Sequence, residues 1–451
     1  MEEKLTENEI LLAKECITLA KEAGAEKVRV TLNKSLMELF GMLDGELDKV
    51  THALDRSLSI VLFVDGKSGS FSTNRLVKED LKEFITRAVS TVRMLAKDEC
   101  RDLPSPDRTV KKAVKGNELG LYDKEYETLT PEKRLTMAKS SSIWKGKEAL
   151  EKGFRIISEE GEYSDSVFDT VTIDSNGLYA RHTETSFEIG YEVTVEDPQG
   201  NRISAYWWDA SPTLKGICGS LTDCSMTAVK RAAGKIGPRP HEGGLMNLVV
   251  DSECASKVVS PILNALSGHS IQQKNSFLTG KKGEKVFGEN VTIIDRPHEE
   301  GKTGSRLFDS EGVATGDLPI IENGVVKNYF INTYIAGKLG IEPTIEDCSR
   351  PVLSTVGDSK EVSDLLEKVG SGIYVTGFNG GNSNSATGDF SYGIEGFAFE
   401  NGKILHPVRE MLMTGNFIDL WNNLIATADD ARSCMSKIIP TLAFSNVYFA
   451  G

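Results

Sequence analysis

The sequence predicts an α+β protein with largely antiparallel sheets. Turn motifs such as Asp65-Gly66 and Asn176-Gly177 separate segments in which apolar and polar residues alternate, which is typical of β-hairpins. The regular alternation of strands and helices that accompanies parallel sheets is missing. With 451 residues, 39% of them hydrophobic, the chain is long enough for roughly two to three domains with their own cores. We therefore expect N-terminal α/β units with antiparallel meanders and flanking helices, followed by a mostly antiparallel β domain.

The first predicted unit spans residues 1–100. Thr6 and Glu9 have the spacing of a capping box, which predicts the start of a helix, and Gly24 would end that helix. Apolar residues then alternate as on a half-buried strand, at Leu58, Ile60, Leu62 and Val64. A later helix has one apolar face, formed by Leu81, Phe84, Ile85, Ala88, Val89, Val92 and Leu95.

The second predicted unit, residues 118–236, has the same order of elements. Thr130 and Pro131 are typical of a helix N-cap and first turn, and we expect this helix to reach about Lys152. A helix near 212–235 closes the unit. The meander between the two helices has predicted strands at 167–174, 177–184, 186–196 and 202–208. The two units form one N-terminal domain, 1–236, or two separate αβα domains.

The predicted C-terminal domain spans residues 245–451 and follows a linker rich in glycine and proline, Gly234–Gly244. It begins with a strand at Leu248–Val250 and a helix in KVVSPILNALSGH, Lys257–His269, which Pro261 should kink. Short strands and turns dominate the rest, including two hairpins centred on Glu-Asn-Gly at 322–324 and 400–402.

The charge and the cysteines limit the class of protein. The net charge is −14, and there is no basic stripe or zinc-finger spacing, so we expect no direct nucleic-acid binding. We expect no membrane association either, because acidic proteins are repelled by anionic lipid and no apolar run approaches the ~20 residues of a membrane span. The acidic N-terminus MEEKLTENEI and seven scattered cysteines predict a cytoplasmic protein with reduced thiols.

Motifs for catalysis are weak. His241-Glu242 and His298-Glu299 begin like the zinc-binding motif HExxH but lack its second histidine, and there is no CxxC pair. A GxSxG nucleophile motif is also missing. Cys254 near a helix start could have a lowered pKa, but a packed thiol explains it more simply. These patterns assign no catalytic residue and no metal ligand.

The most unusual stretch is GFNGGNSNSATGDFSYGIEGF, Gly377–Phe397, with six glycines and no lysine or arginine. A phosphate-binding loop usually has a lysine and a following helix, so nucleotide binding is disfavoured. The run either simply joins strands by turns, or forms the wall of a cleft whose bare backbone approaches an extended peptide. The candidate residues of such a peptide channel are Gly380, Gly381, Asp389 and Ser391.

Several segments of the C-terminal half, in this order, resemble the TldD/PmbA family, known as modulators of DNA gyrase. They are SFLTGKKGEKV (276–286), TIIDRP (292–297), FDSEGVAT (308–315), IENGVVKNYFINTYIAGKLG (321–340), TGDFSYGIEGFAFENGKILHPV (387–408) and MTGN (413–416). The resemblance covers most of 245–451, whereas the N-terminal half matches mainly in its order of elements. The segment EPTIEDCSR, 342–350, departs from the family pattern.

The resemblance implies a two-subunit metallopeptidase that cuts small unfolded peptides. In this family the TldD-type subunit binds zinc through an HExxxH helix and a cysteine near the C-terminus, and the PmbA-type subunit, also called TldE, lacks those ligands. Aligned on Leu266–His269, this chain has Val259, Ser260 and Asn264 at the positions of the first histidine, the glutamate and the second histidine. Cys434 lies near the position of the cysteine ligand, but too close to Pro440 for the family's longer connection.

We therefore expect a non-catalytic PmbA/TldE-type subunit, with no cofactor of its own and zinc in a TldD-type partner. Its partners would be that sister subunit and an unfolded peptide, and it could form a homodimer when alone. Two alternatives stay open. One is a stand-alone thiol hydrolase that uses Cys254 or Cys434 with His269, and the other is a non-enzymatic regulator that binds gyrase.

Overall fold

The computed structural model describes residues 3–357 and 359–451, which fold into two compact units. The first unit extends to Lys230 and contains two later segments, His298–Gly316 and Asn332–Glu346. The second unit consists of Arg231–Pro297, Asp317–Ile331 and Asp347–Gly451. Two short segments from the C-terminal half of the sequence thus belong to the first compact unit.

The elements up to residue 234 alternate between flanking helices and long strands. They are α1 (Glu7–Glu22), β1 (Lys27–Leu43), β2 (Glu46–Val64), β3 (Lys67–Thr73), α2 (Lys78–Val92), α3 (Pro131–Ser140), β4 (Arg155–Asp174), β5 (Tyr179–Glu196), β6 (Arg202–Ser211) and α4 (Ser220–Gly234). Short 3-10 helices lie at Lys124–Thr128, Trp144–Ala149 and Leu214–Ile217.

Local sequence signals explain where these helices begin and which face they bury. The Thr6 hydroxyl accepts a hydrogen bond from the Glu9 amide at 3.1 Å, and the Glu9 carboxylate accepts one from the Thr6 amide at 2.8 Å. This capping box starts α1, as predicted. The hydroxyl of Thr130 accepts from the Lys133 amide and caps α3. In α2 the predicted apolar face is buried at Leu81, Ile85, Ala88, Val89 and Val92.

A single antiparallel sheet, in the order β3-β2-β1-β4-β5-β6, runs through the first unit. One core cluster packs α1 and α2 against this sheet, and a second cluster includes Ala138 of α3 and Cys224 of α4. The two strands predicted at 177–184 and 186–196 form one strand, β5, because β5 pairs with β4 over nearly its whole length without a turn. The helix predicted to reach Lys152 ends at Ser140, and the helix predicted from 212 begins at Ser220.

The remaining elements are mostly strands. They are β7 (Gly244–Val250), α5 (Ser256–Ala265), α6 (Gly268–Gln272), β8 (Ile293–Asp295), β9 (Leu318–Glu322), β10 (Val325–Val326), α7 (Thr333–Leu339, in the first unit), β11 (Pro351–Leu353), α8 (Val362–Val369), β12 (Ser371–Ser383), β13 (Asp389–Glu400), β14 (Lys403–Asn416), α9 (Phe417–Asn422), β15 (Leu424–Thr427) and β16 (Leu442–Ala450).

The second unit has a four-stranded sheet, β10-β9-β8-β11, and a six-stranded sheet, β14-β13-β12-β7-β16-β15. All pairings are antiparallel except that of β7 with β12. Pairing of β14 with β16 at residues 412–414 closes five strands of the larger sheet into a ring. The predicted hairpin at 400–402 joins β13 to β14, with Asn401 and Gly402 both at positive φ, as a type I′ turn requires. The α+β class, with largely antiparallel sheets, is confirmed.

Two features anchor α5 within the second unit. Its residues Val258, Val259, Ile262 and Leu263 are buried, and the indole N–H of Trp421 in α9 donates a hydrogen bond to the Val258 carbonyl oxygen at 3.1 Å. Over the residues that the structure describes, no helix is both long and apolar enough to cross a bilayer.

Candidate functional site

The central strand β12 is longer than its neighbour β7, and this difference creates the candidate site. β7 pairs with β12 only through Ile373–Val375. The amide of Asp251 then donates to the Val375 carbonyl oxygen at 2.9 Å, and the chain turns away into α5. Within the described residues, no strand pairs with this edge of β12 from Thr376 to Ser383. We call this segment the open edge of β12.

Two irregularities shape the open edge. The pairing of β12 with β13 shifts register between Val375 and Gly377 and again between Phe378 and Gly380. Such bulges bend a strand, and they are frequent beside functional sites. Gly381 has φ +98°, and a Cβ there would overlap the Ser391 carbonyl oxygen and lie 2.6 Å from the Tyr392 Cα. Only glycine fits between the two strands at this position.

A cleft of about 480 Å³ lies between α5 and the β12–β13 pair. Its lining residues are Cys254, Ser256, Lys257, Ser260, Pro261, Asn264, Phe378, Ser383 and Tyr392. Apolar contact comes from Phe378 and Tyr392, whose rings meet edge to face at a centroid distance of 5.6 Å. The Lys257 ammonium lies 4.7 Å from the centroid of the Tyr392 ring, a cation–π arrangement.

The three positions at which the resemblance places the family's zinc site do not fit a zinc ion. Val259 is fully buried in the core and has no donor atom. Ser260 and Asn264 do line the cleft, but zinc sites in proteins use thiolate, imidazole or carboxylate ligands. Pro261 lies inside α5. Throughout residues 3–357 and 359–451, no three His, Cys, Asp or Glu side chains are grouped so that they could hold a metal ion.

The residues predicted for a peptide channel separate into two groups. Gly380 and Gly381 are exposed on the open edge of β12. Asp389 and Ser391 are exposed on β13 and are not among the residues that line the cleft. The carboxylate of Asp389 accepts hydrogen bonds from the Thr387 hydroxyl at 2.6 Å and the Asn416 amide at 2.9 Å, and these bonds lower its pKa. Asp389 therefore stabilises the turn between the strands.

Neither candidate thiol nucleophile, Cys254 or Cys434, is well suited to nucleophilic attack. Burial, with the nearby carboxylates of Asp251 and Glu253, raises the pKa of the Cys254 thiol, whereas a reactive cysteine needs a lowered pKa. The Cys254 thiol donates to the Val375 carbonyl oxygen at 3.6 Å. Cys434 is buried, and His269 is exposed with its Nε2 2.9 Å from the Gln273 side-chain amide.

Comparisons with known proteins place this arrangement in a family. The profile of the PmbA/TldA metallopeptidase C-terminal domain matches residues 243–451, and that of PmbA/TldA metallopeptidase domain 1 matches residues 29–92. A protein from Bacteroides thetaiotaomicron, whose crystal structure is described as that of a proposed modulator of DNA gyrase, is 38% identical in sequence to this chain. That likeness covers 99% of each chain with a TM-score of 0.93. This chain belongs to the PmbA/TldD family.

Other members of the PmbA/TldD family match along most of the chain. The metalloprotease PmbA homologue of Haemophilus influenzae is 27% identical over 92% of this chain and 90% of its own length. Metalloprotease PmbA of Escherichia coli O157:H7 is 24% identical over 97% of this chain and 96% of its own length. The crystal structure of TldE from Thermococcus kodakarensis shares the fold, with a TM-score of 0.83 at 20% identity, over 98% of this chain and all of that one.

Sequence reasoning missed three residues that define the cleft, namely Lys257, Phe378 and Tyr392. Two of them had a weak local signal. Lys257 is a charged residue at the start of a helix that is otherwise apolar or small, and Phe378 is a large apolar residue within a glycine-rich run. Neither signal indicates that the two side chains line the same cleft, because that depends on long-range strand pairing.

Proposed function

We propose that this chain is the non-catalytic PmbA/TldE-type subunit of a two-chain zinc peptidase, and that it holds an unfolded peptide for a TldD-type partner. The observation that carries this proposal is the open edge of β12, which faces α5 across the cleft. A peptide laid along this edge would extend the sheet beyond the end of β7 and would contact the side chains of α5 on its other side.

Backbone pairing accounts for the choice of an unfolded substrate. An unpaired strand edge presents N–H and C=O groups that can bond to any extended segment, whatever its sequence. Each such hydrogen bond contributes about 0.5–1.5 kcal/mol net, so several bonds together could hold a short peptide. A folded protein cannot offer its backbone in this way, because its own secondary structure already uses those groups.

The chemistry of α5 supports a role in binding and not in catalysis. A peptidase of this kind needs zinc ligands and a carboxylate that accepts a proton from the attacking water. Ser260 and Asn264 provide a hydroxyl and an amide, neither of which is a useful base near neutral pH. In this proposal zinc and the general base belong to the TldD-type partner.

The same proposal covers the partners and the location. The chain would form a heterodimer with its sister subunit and a homodimer only in the absence of that subunit. It would act in the cytoplasm on small unfolded peptides, without binding nucleic acid directly. Any effect on gyrase would follow from the breakdown of a peptide and not from direct contact.

Reconstitution tests the division of roles. The purified chain, a TldD-type protein from the same genome and their mixture are each incubated with a disordered peptide, and products are followed by mass spectrometry. Zinc is measured in every sample by elemental analysis. We expect cleavage only in the mixture and no stoichiometric zinc in this chain alone. One tightly bound zinc per chain, or cleavage by this chain alone, would refute the proposal.

Backbone methylation tests the mode of binding. A seven-residue peptide is N-methylated at one position at a time, and its affinity for the full chain is measured by fluorescence anisotropy. Alternate residues of a paired strand direct their N–H groups toward the neighbouring strand. Affinity should therefore fall at every second position. A uniform effect at all positions would show that the peptide does not pair with β12.

The two alternatives have different signatures. A thiol hydrolase would lose activity in the isolated chain on alkylation, and the raised pKa of Cys254 makes this outcome unexpected. A gyrase-binding regulator would retain gyrase from cytosol in a pull-down, whereas our proposal predicts retention of a same-family sister chain.

A further inference from the structure

The cleft differs in charge from the chain as a whole. The protein carries a net charge of −14, yet among the residues that the structure describes no acidic side chain lines the cleft, and Lys257 is the one charged residue in the lining. Lys257 is exposed, and its Nζ is 4.7 Å from the centroid of the Tyr392 ring. Among the described residues, no carboxylate lies within 4.0 Å of this ammonium. Within the described part of the chain, the cleft thus presents a cation without a counter-ion.

The cation lies beside an apolar surface. Phe378 is half-buried on β12 and packs edge to face on Tyr392, which is almost fully buried. The Lys257 ammonium lies over the Tyr392 ring. A ligand on the open edge of β12 would therefore meet an aromatic surface at Phe378 and a positive charge at Lys257. Complementary groups on the ligand are an apolar side chain and a carboxylate.

We propose that the cleft selects extended peptides that carry a carboxylate within reach of Lys257, next to an apolar side chain that contacts Phe378. This inference rests on the proposed function and adds a substrate class to it. The carboxylate comes from an aspartate or glutamate side chain or from a free C-terminus. Because Lys257 is exposed, an ion pair with it is partly screened by solvent and by salt.

The test uses the full chain and four fluorescein-labelled peptides. The peptides are Ala-Thr-Leu-Glu-Thr-Ala-Gly and its Glu-to-Gln counterpart, each with a free or an amidated C-terminus. Affinities are measured by anisotropy at low and high salt. We expect one of the two carboxylates to tighten binding about fivefold at low salt. If the Glu-to-Gln change removes the tighter binding, the carboxylate is that of the side chain. If amidation removes it, the carboxylate is that of the C-terminus.

Variants assign the effect to a residue. Lys257→Gln should abolish the preference for the carboxylate, and a double-mutant cycle between Lys257 and the peptide carboxylate measures that loss directly. Lys403→Gln is the matched control, because Lys403 is also an exposed lysine but is not among the cleft residues. Equal binding of all four peptides to the unmodified chain would refute the preference for a carboxylate and leave the proposed function intact. Failure of all four peptides to bind would overturn both.

Discussion

Substitution of Gly381 by alanine should open the pairing of β12 with β13. A Cβ at this position overlaps the Ser391 carbonyl oxygen and lies 2.6 Å from the Tyr392 Cα, and all of these atoms belong to the backbone of β13. The neighbouring strand cannot move aside as a flexible side chain would. A positive φ costs alanine about 1–2 kcal/mol, and overpacking adds about 1–3 kcal/mol. We expect a total local destabilisation of about 2–5 kcal/mol.

The neighbouring Gly380 provides a matched control. It also has a positive φ, +153°, but a Cβ there would have no atom within 4 Å. Gly380→Ala should therefore show only the smaller backbone effect. Hydrogen exchange of the β12 and β13 amides resolves the difference, since the chain has two compact units and global unfolding need not be two-state. Equal protection in the two variants would refute the steric argument.

Three further predictions concern a hydrogen bond, an ion pair and a thiol. Trp421→Phe removes the indole N–H that donates to the Val258 carbonyl and should destabilise the second unit by about 1–3 kcal/mol, measured by urea unfolding. Arg134→Met should cost about 3–5 kcal/mol in the first unit, because it leaves the Asp165 carboxylate buried and unpaired, and adding Asp165→Leu should recover most of that loss. Iodoacetamide should modify Cys254 slowly at neutral pH in the native chain and rapidly in urea, since its thiol pKa is raised in the fold.

Much of the fold could be predicted from local sequence signals. The capping box of Thr6 and Glu9 and the Asn401-Gly402 turn each depend on a few neighbouring residues, so the local sequence predicts both without tertiary information. The ends of the strands and helices were predicted less accurately than their presence. Nothing in the local sequence shows that β5 continues through Thr185, because its continuity depends on pairing with β4.

The candidate site was predictable only in part. The sequence alone determined that Val259, Ser260 and Asn264 offer no zinc ligand, because ligand chemistry belongs to each side chain by itself. Tertiary packing decided that Val259 faces the core, while Ser260 and Asn264 face the cleft.

The cleft itself depended wholly on tertiary structure. Lys257 and Phe378 are far apart in the sequence, and they line one cleft because β7 ends at Val250 while β12 continues to Ser383. Strand length and register are set by pairing between distant segments, which no local pattern encodes. The amino-acid sequence thus determined the chemistry that each side chain can offer, and the long-range pairing of the strands decided which side chains act together.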